Sequence, residues 1–297
     1  MKSFNIGIDT GGTYTDAVIV EAHTHEVIAT AKSLTTRGKL ESGIANALSV
    51  VIKVSREKLD AGQISLVSLS TTLATNALVE GRGSSVAAVL IGFSDDMVIR
   101  SSLKKAIPSA RIIRIDGGHE YDGSESSALD ETSLRAQISA LQNSVEAFSV
   151  SATYSVRNPR HEQRAKQIIT EITGKPVTAS SELSDGLNGP LRALTATFNV
   201  RIVSLIINLV QSVRQVMRAQ NIDAPLMIVK GDGSIASAES IIGKPIETIL
   251  SGPAASVIGA NFISNLSDFI ISDVGGTTTD VAIVRNGWPS LNEKGAM

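Results

Sequence analysis

The chain has no cysteine. Disulfides, thiolate catalysis and zinc–thiolate sites are therefore excluded. It also lacks an excess of either charge: 27 Lys and Arg stand against 29 Asp and Glu, a formal net charge of −2. Nothing in that balance recruits nucleic acid or an anionic membrane. Long apolar runs are missing too. The longest, residues 202–210, is too short to span a bilayer and carries Ser204 and Asn208, so it reads as buried helix. No sustained apolar segment precedes the first strand, so the reading expects no secretory signal and a cytoplasmic protein. What remains, 297 residues at 42% hydrophobic and 19% charged, is a globular chain able to bury one large or two moderate cores.

What is present is one stretch written twice. Phe4-Asn5-Ile6-Gly7-Ile8-Asp9-Thr10-Gly11-Gly12-Thr13-Tyr14-Thr15-Asp16 precedes an apolar run, and so does Phe269-Ile270-Ile271-Ser272-Asp273-Val274-Gly275-Gly276-Thr277-Thr278-Thr279-Asp280. Each copy reads as strand, Asp, Gly-Gly, Thr-x-Thr, Asp, strand: a β-hairpin with a polar tip. Glycines let the backbone turn with φ > 0 and bring N–H groups against an anion with no Cβ in the way. Thr13, Thr15, Thr277 and Thr279 add hydroxyl donors. A carboxylate does not itself favour phosphate, so Asp9 and Asp273 are assigned to Mg²⁺, held directly or through water against phosphate oxygens. Two ordinary Gly-Gly hairpins are the competing reading, and agreement at six positions in both copies weighs against it. Asp16 and Asp280 close the loops as turn residues or as catalytic groups, and the sequence does not choose. Paired loops of this kind resemble the phosphate-1 and phosphate-2 motifs of the actin, Hsp70 and sugar-kinase ATPase superfamily. That resemblance, rather than spacing, implies ATP.

Between the copies the periodicity predicts strands at 16–20 and 27–34, a helix with apolar positions Leu40, Ile44, Leu48, Val51 and Ile52, and a strand at 64–70. Further strands are predicted at 86–91, 111–115, 145–153 and 176–179. Asp130 caps a helix ending at Leu141, Asn158 is the N-cap of another with Pro159 at its first position, and 190–220 forms a long helix or a broken pair. Thr71-Thr72-Leu73-Ala74-Thr75-Asn76-Ala77 sits at a strand-to-helix junction, where Thr72, Thr75 and Asn76 either cap the helix or meet an anionic substrate or phosphate. Ser251-Gly252-Pro253-Ala254 opens a helix and offers Ser251 and Gly252 to phosphate. Gly231-Asp232-Gly233-Ser234-Ile235-Ala236 imitates a dinucleotide-binding turn, but Gly243 and Pro245 cut short the helix that such a turn requires. Lys230 and Asp232 are alternatives for reaching the nucleotide. The acidic segment 116–130 reads as a solvated turn, and His161-Glu162 is not a zincin site because Ala165 stands where the second histidine belongs.

The Thr-Thr-x-Ala-Thr-Asn-Ala segment, Asn158-Pro159-Arg160-His161-Glu162, Ser180-Ser181-Glu182 and the Ser-Gly-Pro-Ala turn together resemble the hydantoinase/5-oxoprolinase family, over residues 5–296. The resemblance implies an α/β fold. It consists of an actin-like ATPase (RNase H-like) first lobe with a mixed sheet over 1–185, then a hydantoinase A-like region over 186–297 with a long helix and the start of an incomplete second lobe. It also implies ATP and Mg²⁺, a cyclic-amide substrate such as a hydantoin or 5-oxoproline, and phosphorylation of the amide carbonyl. A hydantoinase B-type partner subunit or self-association is expected, with no nucleic acid and no membrane. A related carboxylase subunit, or a non-catalytic nucleotide-binding module, stays open.

Overall fold

The computed structural model describes residues 2–35, 40–55, 59–274 and 279–289. The chain begins with β1 (Phe4–Thr10), β2 (Tyr14–Glu21), β3 (Val27–Leu34), α1 (Leu40–Ser55), β4 (Ile64–Thr71) and α2 (Leu73–Val79). There follow β5 (Val86–Ile91), α3 (Asp95–Arg100), α4 (Leu103–Ala106), β6 (Ile112–Ile115), α5 (Glu131–Leu141), β7 (Ala147–Ala152), α6 (Arg160–Thr173) and β8 (Val177–Ala179). Last come α7 (Gly189–Ala219), β9 (Leu226–Val229), β10 (Ile235–Ser237), α8 (Ala238–Gly243), α9 (Ser251–Ser264), β11 (Phe269–Val274), β12 (Thr279–Arg285) and β13 (Trp288–Pro289). These form two compact units interleaved in sequence: Met1–Val79, Leu205–Ile242 and Glu247–Met297 in one, Glu80–Ser204 and Gly243–Ile246 in the other.

The first unit is built on a six-stranded sheet in the order β10-β9-β4-β1-β2-β3. β1, β2 and β3 run antiparallel, while β4 is parallel to β1 and β9 to β4. Alternation fixes the two faces. Ile6 and Ile8 of β1, Ala17 and Ile19 of β2, and Val67 and Leu69 of β4 point into a core with Ile44, Leu48 and Val51 of α1 and Ile206, Val210 and Val213 of α7. The opposite face carries Gly7, Asp9, Asp16, Ser68 and Ser70, which are small or acidic and leave room above the sheet. A separate three-stranded sheet, β11-β12-β13, completes the unit, with α9 beside it.

The second unit has a four-stranded parallel sheet ordered β6-β5-β7-β8. Every residue of β5 and β7 is buried, as expected of parallel strands covered on both faces. α5 and α6 cover one face through Leu134, Ile138, Ala165 and Ile168, and α3, α4 and the start of α7 cover the other through Val98, Leu103 and Ala193.

Three expectations are corrected or refined. The cap of α6 falls on Pro159, not Asn158; proline has no side-chain acceptor for a capping bond, and Asn158 Oδ1 instead accepts from Arg160 N at 3.3 Å. The 190–220 segment is one unbroken helix. By length and composition it is apolar enough to cross a membrane, alone among the described residues, but Ala193, Val200, Ile206, Val210 and Val213 on it are buried in the cores. The Gly231–Gly233 segment turns between antiparallel β9 and β10, and the six-residue α8 follows, so no dinucleotide-type helix is present.

Candidate nucleotide site

The β1–β2 register pairs Asp9 with Asp16 across the hairpin, on the face away from the core. Two carboxylates directly opposite repel each other. Asp16 is offset by Lys32, 3.1 Å away on β3. Among the described residues Asp9 has no cation partner; its Oδ1 accepts a short hydrogen bond from Ser70 Oγ at the end of β4. Burial raises the Asp9 pKa above its ordinary 3.8; the Ser70 bond opposes this, and the charges of Asp16 and Asp273 push it further up. Asp9 lines a cavity of about 340 Å³ whose wall includes Gly7, Ser68, Val229 and Ala255.

Asp273, on the second hairpin, lies near enough for its charge to act on Asp9. Its Oδ2 accepts from Ser256 Oγ at 2.6 Å, and Ser256 follows Ala255 of the cavity wall on α9. The β11–β12 register pairs Asp273 with Asp280 just as β1–β2 pairs Asp9 with Asp16. The acids of the two repeats therefore feel each other's charge beside one hollow.

Above the acids the turn at Gly11 and Gly12 departs from expectation: neither glycine has a positive φ. Gly11 is held by close approach: a Cβ there would lie 3.2 Å from Tyr14 O, whose oxygen accepts from Gly11 N, whereas a Cβ on Gly12 would make ordinary contact with Asn76 Nδ2 at 3.7 Å. Asn76 in turn donates to Thr72 Oγ1 at 3.1 Å, and Thr72 N donates to Thr10 O at 3.2 Å. Gly252 at the start of α9 comes in beside them, for its Cβ would sit 3.2 Å from Thr72 Cγ2. Leu250 precedes the helix at φ 64 and gives no side-chain cap; its N–H donates to Thr75 Oγ1. The structure thus brings together Gly12, Thr72, Thr75, Asn76 and Gly252.

Other expected residues are occupied elsewhere. Thr15 is fully buried on the core side, its hydroxyl 3.1 Å from that of Thr35. Ser251 is fully buried and ties α9 to β4, donating to Thr71 O at 2.9 Å. Lys230 is paired with Glu247 at 3.1 Å and Asp232 at 3.3 Å. No side-chain bond of Thr13 occurs among the described residues. Thr279 opens β12 opposite Val274, while Gly275, Gly276 and Thr277 lie outside the described residues.

The donor set fits a metal-bound phosphate: Asp9 and Asp273 each offer a carboxylate held at one oxygen by a serine, and Asp9 lines the hollow. Thr10 Oγ1, just ahead of Gly11, is buried with no hydrogen-bond partner, on the core face of β1 with Ile6 and Ile8. Among the described residues no three acidic or histidine side chains form a metal cage of their own.

Residues 5–173 match the hydantoinase/oxoprolinase N-terminal region and 192–297 match hydantoinase/oxoprolinase. The chain belongs to the hydantoinase/oxoprolinase family. Family relatives include the caprolactamase subunit alpha of Pseudomonas jessenii, 25% identical over 96% of this chain and 44% of that protein. Another is the acetophenone carboxylase gamma subunit of Aromatoleum aromaticum, 26% identical over 94% of this chain and 42% of that protein. A nucleotide-free acetone carboxylase structure, from an enzyme of ATP-dependent acetone carboxylation, has a TM-score of 0.84 at 19% identity, covering all of this chain and 46% of that one. That likeness shows that the two chains share a fold. The chain spans less than half the length of these relatives.

Family motifs led to Asp9, Asp273, Thr72, Asn76 and Gly252, but not to Ser70 or Ser256. Ser70 carries a signal in retrospect, because it is the strand residue two after Ser68 and shares its face. Ser256 lies two residues past the quoted Ser-Gly-Pro-Ala stretch, about one helical turn beyond Gly252.

Proposed function

We propose that this chain is the nucleotide-binding region of an ATP-dependent enzyme that opens cyclic amides. The observation that carries the reading is the pair of serine-anchored carboxylates, Asp9 on Ser70 and Asp273 on Ser256, whose charges meet beside one cavity under a glycine turn. Mg²⁺, held by Asp9 and Asp273, would neutralise phosphate oxygens. The Gly12-Thr13 backbone, in the turn that the Gly11 N–H closes onto Tyr14 O, and the uncapped start of α9 at Gly252 supply N–H groups to the phosphates. The repeat of the motif assigns the same role to Gly275, Gly276, Thr277 and Thr279, of which the first three lie outside the described residues. Thr72, Thr75 and Asn76 set the direction in which the terminal phosphoryl group leaves. Transfer of that group to the amide carbonyl oxygen makes the ring carbon a better electrophile; water then adds there, the C–N bond breaks and phosphate departs. Positioning and charge neutralisation carry most of such a reaction. A partner subunit of the hydantoinase B type supplies the group that activates the water.

The test is ATP hydrolysis by this chain with its partner subunit, in the presence of hydantoin, 5-oxoproline or caprolactam. Stimulation by one of these rings, lost in Asp9→Asn, is expected. A second reading, a subunit of an ATP-dependent ketone carboxylase, is favoured by the names of two relatives. Stimulation by ketone and bicarbonate, with none by the rings, selects it. Tight binding of ATP with no turnover under any of these conditions assigns a non-catalytic module instead.

A further inference from the structure

A second hollow, of about 510 Å³, lies wholly within the other unit. It opens beyond the carboxyl ends of the parallel strands. There the chain leaves β5 at Gly92, β6 at Asp116 and β7 at Thr153. β6 and β7 flank β5 on opposite sides, so the order of the sheet reverses at β5, and such reversal points are where open α/β sheets hold ligands. The three exits are pressed together: a Cβ on Gly118 would lie 2.1 Å from Thr153 Oγ1, and one on Gly92 2.5 Å from Gly117 O. α6 starts alongside with no side-chain cap, and its His161 Nδ1 accepts from Gly118 N at 2.9 Å.

Most polar groups in this wall are matched. Arg164 is bidentate on Glu131 at 2.7 and 2.8 Å, and Asn158 donates to Gly123 O at 3.0 Å. With His161 Nδ1 serving as an acceptor, its Nε2 carries the proton and donates to Glu125 Oε1 at 2.7 Å. Two side chains are unmatched. His119 is 3% exposed, its ring centroid 4.3 Å from that of His161, and its Nδ1 has no hydrogen-bond partner. Arg160, the first residue of α6, makes no side-chain hydrogen bond or ion pair among the described residues. The His119 pKa is lowered by burial and by the neighbouring His161 and Arg160, with Glu125 opposing, so the resting imidazole is neutral at pH 7. The hollow thus presents an unpaired guanidinium, and at another point of its wall a half-exposed Glu125 carboxylate with only one oxygen engaged.

We propose that this hollow binds a small zwitterionic amino acid, its carboxylate on Arg160 and His119 and its ammonium on Glu125. A doubly charged phosphate is disfavoured by Glu125 and Glu131 in the same wall. The volume is that of a small-molecule site. Opening a lactam such as 5-oxoproline or caprolactam releases a molecule of this class, so the site would sense product; that use, unlike the site itself, rests on the reaction proposed above.

The chain has four histidines, so their ring resonances report on the site one by one. Titration of the full chain with L-glutamate should shift the His119 and His161 signals saturably and leave those of His23 and His25 in place. Arg160→Gln should weaken that binding by about tenfold, the loss of one charge-assisted contact, while melting as the parent does. Asp9→Asn should leave it unchanged. Absence of a saturable shift, unaltered affinity in Arg160→Gln, or propionate or inorganic phosphate binding as tightly as glutamate would overturn the proposal.

Discussion

The two Asp-Gly-Gly hairpins share a sequence pattern and a register but stand in opposite surroundings. Asp9 faces Asp16 in one and Asp273 faces Asp280 in the other. Around the first, Ile6 and Ile19 are fully buried under α1 and α7, whereas in the second Ile270 is 71% and Val281 66% exposed. The local pattern therefore sets the turn and aims the acid. It does not set stability, which a small ribbon draws from what covers it. In β1–β2 the cover is a complete core; among the described residues α9 is the main element against β11–β12, through Ser256 on Asp273 and Asn261 on Gly287.

The sharpest way to break this contrast is to truncate one apolar residue in each hairpin. Ile6→Ala should lower the unfolding free energy by about 2–5 kcal/mol, while Ile283→Ala, at a half-exposed site, should change it by less than about 0.5 kcal/mol. Equal losses in urea unfolding would mean that the second hairpin is as well supported as the first. Next in size is Gly12→Ala. Because Gly12 has no positive φ, alanine is tolerated by the backbone, yet its methyl group enters the space beside Asn76. Mg-ATP affinity should fall by about tenfold, with the melting temperature nearly unchanged. Smaller still is Thr15→Val, which removes the buried bond to Thr35 and should cost about 1 kcal/mol of stability. Thr279→Val, on an exposed strand, should cost almost none.

Proton competition gives the smallest effect. The pKa of Asp9 is raised mainly by burial, so the folded state binds its proton more tightly than the unfolded chain does. The Asp9 contribution to stability therefore grows as pH falls through the raised pKa towards 3.8, and Asp9→Asn should flatten that part of the profile. A cation competes with the same proton. Mg-ATP affinity should then weaken on acidification at a higher pH than an ordinary aspartate would give. Ser70→Ala, which removes the one contact lowering that pKa, should move the loss higher again.

Much of this was legible in the sequence because it is written locally. The duplicate motif gave both hairpins, strand periodicity located β3 and β5 to the residue, and Asp130 caps α5 through Ser133 N as its position suggested. What was not legible depends on contacts distant in sequence. The four parallel strands β5 to β8 read as continuing the first lobe, and only their pairing shows a sheet of their own. Glu162 looked like half of a motif. It is instead fully buried, accepting from Ala152 N, Ser180 Oγ and Ser181, and so ties β7 to the turn after β8. The loop 116–130, taken for a solvated turn, supplies the buried His119. Nothing in a Gly-Gly-His sequence distinguishes a solvated imidazole from one enclosed by a helix more than forty residues away.

The central claim is that acids from the two unequal hairpins serve one metal-bound nucleotide, and calorimetric titration with Mg-ATP of the parent chain, Asp9→Asn and Asp273→Asn tests it most directly. The account predicts saturable, magnesium-dependent heat for the parent and a loss of about tenfold or more in affinity for each variant. Binding that survives Asp273→Asn unchanged, while Asp9→Asn abolishes it, would contradict the shared site and leave the second hairpin without a part in holding ATP.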